Sequence, residues 1–343
     1  MQKAYDLARK GKLSNPKVKS FQEHEQLYLA QLFRELHEGT YKPKPLKSFI
    51  LRDPKTRKIC ASDFRDRIVH HALINVLNPI FEPCFIYDSY ASRKGKGTFA
   101  ALQRFDCFKR KVSCNGSLKQ IARTNNDVKG YVLKCDIKKY FDTVDQAALL
   151  QIISRRVEDK KIMVLIKALL DNYQTAPGKG MPLGNWTSQF FANIYLNELD
   201  QFIKHELKEK YYIRYVDDFI ILHKSKNHLS SLREKISCKI FELLLELHPQ
   251  KCKILSLSNG VKFLGFQNFF FYRKIVRKNI NKMRQRFKRK ADQYCAKRIL
   301  AEDLLESFNG WKGYAMQGNC CSLIEKEYCI LKTVLMFSSA TPT

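Results

Sequence analysis

The 343-residue chain is strongly basic, with 62 Lys and Arg against 33 Asp and Glu and a formal net charge of +29. Hydrophobic residues make up 45% of it, which supports a large core and excludes a disordered protein. No apolar run approaches the ~20 residues that span a bilayer. The start of the chain lacks the pattern of a secretion signal, so we expect a cytoplasmic protein.

The basic residues are spread along the whole chain and are not collected in one amphipathic helix. This distribution favours a nucleic-acid partner over a membrane surface or a generic basic protein. The eleven cysteines are odd in number and form no CxxC pair, which indicates free thiols in a reducing compartment and argues against a zinc site. The adjacent pair Cys320 and Cys321 stays open.

The first half of the chain alternates helical and extended patterns. Apolar residues at helical spacing predict helices in residues 1–40 that stop at Gly39, followed by an extended segment. A helix is predicted from an N-cap at Ser62 to about Pro79. A basic glycine loop and a further helix come next, and the polar residues 109–128 are predicted to form a loop or insertion.

The second half is more distinctive. "YVLKCDI" predicts a buried strand that ends at Asp136, with one or two helices after it. A glycine-rich loop then leads into a long helix. "YYIRYVDDFIILH" predicts a hairpin with acids at its tip, followed by a helix at about 227–247 and short strands. From Arg273 to Arg298, 12 of 26 residues are Lys or Arg, and the apolar residues Ile280, Met283 and Phe287 have helical spacing, which predicts a basic helical module. "FNGWKGYAM" is interpreted as a turn between helices.

Three acids stand where apolar strands end. Asp136 closes one strand, and Asp217 and Asp218 occupy the hairpin tip. An ionised acid in an apolar setting is costly unless it is neutralised. Hard oxygen ligands of this kind suit paired Mg²⁺ ions that bridge phosphates. The alternative, a solvated turn residue, is favoured for Asp136 alone, but the "YVDDF" hairpin reverses that preference.

These motifs resemble those of reverse transcriptases. "YVDDF" resembles their Tyr-x-Asp-Asp catalytic hairpin, "CDIKKYF" their first catalytic motif, "GMPLGNWTSQFFANIYLNELD" their second and "VKFLGF" their primer-grip hairpin. The order and spacing match from about Pro45 to about Phe271. The resemblance implies an α+β right-hand polymerase with fingers, an antiparallel palm sheet and a helical thumb. It further implies RNA-directed DNA synthesis from dNTPs with two Mg²⁺ ions, for which Mn²⁺ is an alternative.

"LGNWTSQ" and "DSYASRKGKGTFAAL" are most similar to the reverse transcriptases of diversity-generating retroelements. Group II intron enzymes typically read Gln-Gly and Ser-Pro where this chain has Leu183-Gly184 and Ser188-Gln189. The retroelement resemblance implies mutagenic copying of a template-repeat RNA into cDNA for retrohoming, with a small, basic, oligomeric accessory protein. The alternatives are a phage-defence or retron-like enzyme with its own noncoding RNA, and a nonenzymatic maturase-like RNA-binding protein.

Site roles are carried over position by position. Asp136, Asp217 and Asp218 match the metal-binding triad, with the backbone carbonyl of Ile137 as an extra ligand. Lys251, in competition with Lys253, is the candidate to protonate pyrophosphate. The remaining contacts to the nucleotide are assigned to Arg65, Arg67, Phe141, Leu183, Gly184 and Gln189. The contacts to nucleic acid are assigned to Lys94, Lys96, Arg277, Lys278, Lys282, Arg284 and Arg286.

Several of these residues have an ordinary structural alternative. Phe141 matches a steric gate against the 2′-hydroxyl but is also plausible as a core residue. Arg65 and Arg67 suit phosphate because a guanidinium donates two parallel hydrogen bonds, yet the pair also fits a solvated helix face. Leu183 stands where related enzymes often have Gln, and shape discrimination alone contributes only ~1–3 kcal/mol, which fits an error-prone enzyme. The alternative is a tolerated variant with ordinary fidelity.

Two tempting motifs are discounted. "GKGT" at 95–98 ends like a phosphate loop, but Tyr90 stands where the first glycine belongs. His70 and His71 are adjacent in a helical pattern, so they do not share a face for a metal. The predicted domains are a helical extension at 1–45, fingers at 46–130, a palm at 131–270 with part of the fingers at about 150–182, and a basic helical thumb at 271–343.

Overall fold

A computed structural model describes residues 1–52 and 56–339, so the last four residues of the predicted thumb lie outside the described residues. The chain divides into two compact units. The first consists of Met1–Gly97, Leu133–Ile221 and Asn227–Lys253, and the second of Thr98–Val132, Leu222–Lys226 and the chain from Ile254 onward. The predicted boundaries of fingers, palm and thumb stay a prediction.

The first unit begins with helices, as expected. They are α1 (Gln2–Arg9), α2 (Pro16–Glu23) and α3 (Glu25–Glu38). Helix α3 ends at Gly39, whose φ of 74° is the left-handed conformation that glycine adopts without a steric penalty. Strands β1 (Lys47–Leu51) and β2 (Arg57–Ala61) then pair antiparallel.

Helix α4 (Phe64–Phe81) ends close to the predicted position, but its N-cap differs from the sequence prediction. Asp63 is its N-cap, because the Asp63 carboxylate accepts the Arg65 N–H. The Ser62 hydroxyl instead donates to Asn185 Oδ1 over 2.9 Å, so the predicted cap at Ser62 is wrong by one residue. Pro79 lies inside the helix, which continues to the buried Phe81.

A four-stranded sheet carries the acidic motifs. Strand β3 (Tyr131–Asp136) leads to helices α6 (Tyr140–Thr143), α7 (Gln146–Ser154), α8 (Lys160–Asp171) and the long α9 (Trp186–Gln201). Strands β4 (Tyr212–Tyr215) and β5 (Asp218–His223) form the hairpin, and α10 (Lys226–Glu242) and β6 (Lys253–Ser256) follow. The strand order is β4–β5–β3–β6, which places β3 next to the hairpin. The predicted strand and hairpin are confirmed.

The second unit contains α5 (Thr98–Val112) and a three-stranded sheet. Its strands are β7 (Val261–Phe263), β8 (Phe266–Asn268) and β9 (Arg273–Ile275), in the order β7–β8–β9. Helices α11 (Arg277–Cys295), α12 (Ala301–Ala315) and α13 (Cys321–Ser339) complete it. Phe263 pairs with Phe266 across a two-residue turn, so "VKFLGF" is the hairpin that the sequence predicts.

One prediction in this unit is wrong. "FNGWKGYAM" is not a turn, because residues 308–315 belong to α12. Phe308, Trp311 and Ala315 are buried at helical spacing, and their packing outweighs the low helix propensity of glycine. A Cβ added at Gly310 or Gly313 would meet nothing within 4 Å, so both glycines face open space. Among the described residues, no helix is long and apolar enough to cross a membrane.

Candidate active site

The three acids predicted from the sequence meet at one edge of the β4–β5–β3 sheet. Asp136 is the last residue of β3, Asp217 lies in the hairpin turn, and Asp218 is the first residue of β5. The Ile137 N–H donates to the Asp217 carbonyl oxygen over 3.2 Å, so the end of β3 is tied directly to the turn. The structure therefore brings together Asp136, Ile137, Asp217 and Asp218.

The acids are close enough to affect one another's ionisation. Burial raises the pKa of the Asp217 carboxyl, and the neighbouring Asp136 and Asp218 carboxylates raise it further, with Arg57 opposing them. Like charges held together disfavour the ionised form of each. The cluster therefore has an excess of negative charge that a cation would neutralise.

Two lysine ammonium groups already compensate part of this charge. Lys251 Nζ lies 2.8 Å from Asp136 Oδ1, and Lys134 Nζ lies 2.9 Å from Asp218 Oδ2. Lys134 is not among the site residues predicted from the sequence, although its position relative to Asp136 is a signal. Lys134 precedes Asp136 by two residues on β3, and residues two apart on a strand project from the same face.

The chemistry of this donor set suits divalent cations, although within the described part of the chain no three Asp, Glu, His or Cys side chains are grouped closely enough to hold one ion between them. Carboxylate oxygens are the hard ligands that Mg²⁺ prefers. Burial first, and then the Asp136 and Asp218 carboxylates, raise the pKa of Asp217, and a bound cation would favour its ionised form. Asp136 and Asp217 are the residues that would hold it, with Asp218 beside them. The Lys251 ammonium contacts the acid cluster itself, so its assignment as a proton donor stays a prediction.

The glycine-rich loop lies against the helix that carries Phe141. The Met181 N–H donates to the Phe141 carbonyl oxygen over 2.7 Å, and the Gly180 N–H donates to the Val144 carbonyl oxygen over 2.8 Å. Phe141 is only partly buried, so it is not a fully enclosed core residue. Its assignment as a gate stays a prediction.

Leu183 and Gly184 pack against β2. The Leu183 carbonyl oxygen accepts the Cys60 N–H over 2.8 Å. Gly184 has a φ of 127°, and an added Cβ would stand 2.8 Å from Ile59 Cγ2. Glycine is therefore required here by the close approach of β2, whatever else approaches the loop.

The two fingers arginines are held differently. Arg65 pairs with Glu35 on α3, and its guanidinium lies 5.3 Å from the centre of the Tyr41 ring. Arg67 donates through Nε to the Ser62 carbonyl oxygen over 3.2 Å. The ion partners of Arg65 are thus Glu35 and, over 3.9 Å, Asp66, and neither belongs to the three acids of the cluster.

The other predicted contact residues have surroundings of their own. Gln189 Oε1 accepts from the Ser92 hydroxyl over 2.7 Å. Lys94 is exposed, and Lys96 Nζ stands 3.3 Å from the centre of the Tyr87 ring. His70 is buried, and its Nδ1 lies 2.9 Å from the Thr187 hydroxyl oxygen.

Helix α11 in the second unit carries the basic thumb residues. Its buried residue Met283 marks the inner face. Arg277 and Lys278 are exposed, whereas Arg284 pairs with Glu327 on α13 over 2.6 Å. The remaining residues assigned to nucleic acid, Lys282 and Arg286, are partly buried. Arg284 is therefore engaged in an ion pair within the unit, although it is exposed as well.

Comparison with known proteins gives the family. Residues 42–268 match the family described as reverse transcriptase (RNA-dependent DNA polymerase), and the chain belongs to this family. The family supports the predicted enzyme class, RNA-directed DNA polymerase, and the predicted right-hand polymerase fold.

Curated relatives are more distant. The chain is 27% identical over 281 residues to Protein YkfC of Escherichia coli (strain K12), a match that covers 67% of this chain and 68% of that protein. It is 26% identical over 310 residues to the Group II intron-encoded protein LtrA of Lactococcus lactis subsp. cremoris, covering 69% and 49%. The chain thus spans about half the length of that intron protein.

A solved structure supports the fold alone. Apo telomerase from Candida tropicalis superposes with a TM-score of 0.50 at 14% sequence identity, and the match covers 83% of this chain and 59% of that chain. At this identity the likeness concerns architecture. It agrees with the mixture of helices and antiparallel strands described above.

The acid cluster makes a prediction about stability without metal. Because the pKa of Asp217 is raised in the folded state, its ionisation destabilises the fold, and this cost grows as the pH rises through the raised pKa. Asp217→Asn should therefore raise the Tm of the metal-free protein at pH 7 to 8. The difference should shrink as the pH falls towards the ordinary carboxyl pKa. Thermal unfolding in chelator at several pH values measures this, and an equal or lower Tm for Asp217→Asn at pH 8 would contradict the electrostatic account.

Proposed function

We propose that this chain polymerises DNA from dNTPs on an RNA template, with two divalent cations, Mg²⁺ or Mn²⁺, at the acid cluster. One observation carries the proposal: Asp136, Asp217 and Asp218 meet at the sheet edge in a chain of the reverse transcriptase family. Binding of RNA alone does not require acids that face a phosphate chain. The cluster therefore favours the enzyme over the nonenzymatic maturase-like alternative.

The residues around the acid cluster would bind the cations and the triphosphate. Asp136, Asp217, Asp218 and the Ile137 carbonyl would hold the cations, which when bound supply activation of the primer 3′-hydroxyl and charge stabilisation of the leaving pyrophosphate. The Lys251 ammonium lies beside the Asp136 carboxylate. When a nucleotide binds, this ammonium would leave the carboxylate and contact a phosphate oxygen instead. Arg67 would contact the triphosphate, and Arg65 would do so after release from Glu35.

The substrate-facing residues would select the nucleotide and hold the duplex. Partly buried Phe141, next to the glycine-rich loop, would exclude a 2′-hydroxyl by contact with the sugar. Leu183, Gly184 and Gln189 would line the nucleotide site. Lys94 and Lys96 of the basic loop would contact nucleic acid. The exposed start of α11 would follow the backbone of an RNA–DNA duplex, and the affinity for the duplex would fall with salt.

The metal assignment is tested by primer extension. Asp217→Asn should reduce dNTP incorporation by roughly 100-fold or more, because it removes a metal ligand, while RNA binding stays within about twofold because the basic surface is unchanged. The matched control is Asp171→Asn, which removes an acid whose partner is Lys167 in the same helix. Extension by Asp217→Asn at the rate of the control would contradict the proposal.

We further propose that the chain serves a diversity-generating retroelement. The support is "LGNWTSQ" in the loop and helix start at 183–189, together with Leu183 where group II intron enzymes have Gln. In that setting the enzyme would copy a template-repeat RNA with errors at adenines and would act with a small basic accessory protein. A phage-defence or retron-like role with a dedicated noncoding RNA is the second candidate, since those enzymes share much of the motif pattern.

The infidelity expected for the retroelement role is tested at Leu183. Leu183→Gln should restore a polar contact to the incoming nucleotide and lower misincorporation several-fold, most of all opposite template adenine. A drop of this size is expected because a hydrogen bond contributes about 0.5–1.5 kcal/mol, and about 1.4 kcal/mol corresponds to a tenfold change in the ratio of correct to incorrect nucleotides. Sequencing of cDNA made by both proteins on one adenine-containing RNA gives the error rates. An unchanged rate with extension retained would remove Leu183 from the account of infidelity.

A further inference from the structure

The turn that carries Asp217 has an unfavourable backbone conformation. Tyr215 pairs with Asp218, so Val216 and Asp217 are the two central residues of the hairpin. Val216 has a φ of 55°, in the left-handed region that β-branched residues rarely adopt and where two-residue hairpins usually have glycine. Such a conformation persists only when the surroundings enforce it.

The side chain of Arg214 contacts this turn. Arg214 Nη1 donates to the Val216 carbonyl oxygen over 3.2 Å, which joins a strand residue to the strained residue two positions later. Arg214 is completely buried, and its backbone is fixed as well. Its N–H donates to the Asp88 carbonyl oxygen over 3.0 Å, and its carbonyl oxygen accepts the Tyr90 N–H over 3.0 Å.

The guanidinium is held in place by helix α9. Asp200 accepts from Arg214 Nε over 2.7 Å and from Nη2 over 2.6 Å, which is a bidentate pair between two completely buried side chains. Asn193 Oδ1 accepts from Nη1 over 3.1 Å, and the Tyr212 hydroxyl donates to Asp200 over 2.7 Å. These bonds therefore fix the orientation of the Arg214 guanidinium independently of its contact with the turn.

We propose that Arg214, locked by Asp200 and Asn193, is a positioning residue that holds the Val216–Asp217 turn in its strained conformation and so places the Asp217 carboxylate. The inference rests on the proposed function for its effect on DNA synthesis, but its structural part does not. The turn is tied to β3 through the Ile137 N–H and the Asp217 carbonyl oxygen. Loosening of the turn should therefore be visible at the Ile137 amide.

The test variant is Arg214→Lys. A lysine keeps the positive charge beside buried Asp200, so no uncompensated carboxylate is left, but one ammonium cannot bond Asp200, Asn193 and the Val216 carbonyl in the same fork geometry. The matched control is Arg155→Lys, because Arg155 is exposed and pairs with Glu198 on α9, the helix that also carries Asp200. If Arg214→Lys does not fold, Asp200→Leu/Arg214→Met removes both charges together and takes its place.

Three quantities are measured: Tm, hydrogen exchange of the Ile137 and Leu133 amides, and the single-turnover rate of dNTP incorporation. We expect Ile137 to exchange roughly tenfold faster in Arg214→Lys, with Leu133 in the buried part of the same strand unchanged. Incorporation should slow by roughly tenfold, with primer–template affinity unchanged, as expected when only the chemical step is affected. Arg155→Lys should match the unaltered protein in all three.

A rescue variant separates positioning from general packing. Val216→Gly in the Arg214→Lys background should restore most of the lost Ile137 protection and rate, because glycine adopts a positive φ without a penalty. Unchanged Ile137 exchange in Arg214→Lys would overturn the proposal, and so would an equal increase at Leu133 with no rescue, which indicates a purely structural role. An unaltered protein without RNA-templated synthesis would refute the proposed function, while the exchange data would still decide the positioning role.

Discussion

Three carboxylates held at one sheet edge repel one another, and much of the surrounding structure serves to keep them there. Burial and the two neighbouring acids raise the pKa of Asp217, so its ionised form is disfavoured in the folded protein. Lys134 and Lys251 each neutralise one acid of the cluster. A protein selected for stability alone would not concentrate these charges, and the arrangement is understandable as a site prepared for cations and phosphates.

Fixing the acids requires rigid support from elements far apart in sequence. Strand β3 supplies Asp136, the β4–β5 hairpin supplies the other two acids, and the Ile137 amide joins them. Beneath the hairpin, Arg214 is locked to Asp200 on α9 without access to water. A buried pair of this kind contributes little net stability, and the proposed role of this pair is to specify one arrangement of the groups around it. Here that arrangement includes the turn before Asp217.

The elements that carry the acids could be predicted because their signals are local. "YVLKCDI" is an apolar run that ends in an acid, and "YVDDF" lies between two β-rich runs. Contacts between distant residues were not predictable in this way, and the pair of Lys134 with Asp218 and that of Arg214 with Asp200 depend on which strands and helices become neighbours. The prediction of a turn at 308–316 is wrong. Its glycines favour the end of a helix, but the burial of Phe308 and Trp311 on one face stabilises the helix through this segment. The roles assigned to the site residues stay predictions.

The claim that the acid cluster is a cation site for nucleotide transfer is tested most directly by locating the cations. Crystals of the protein with an RNA–DNA primer–template, Mn²⁺ and a nonreactive dNTP analogue would give an anomalous difference map at the manganese edge. The account predicts two peaks roughly 3.5–4 Å apart, in contact with Asp136 and Asp217 and with the triphosphate. Manganese bound to the triphosphate without contact to either carboxylate, or no manganese near the hairpin turn, would contradict it.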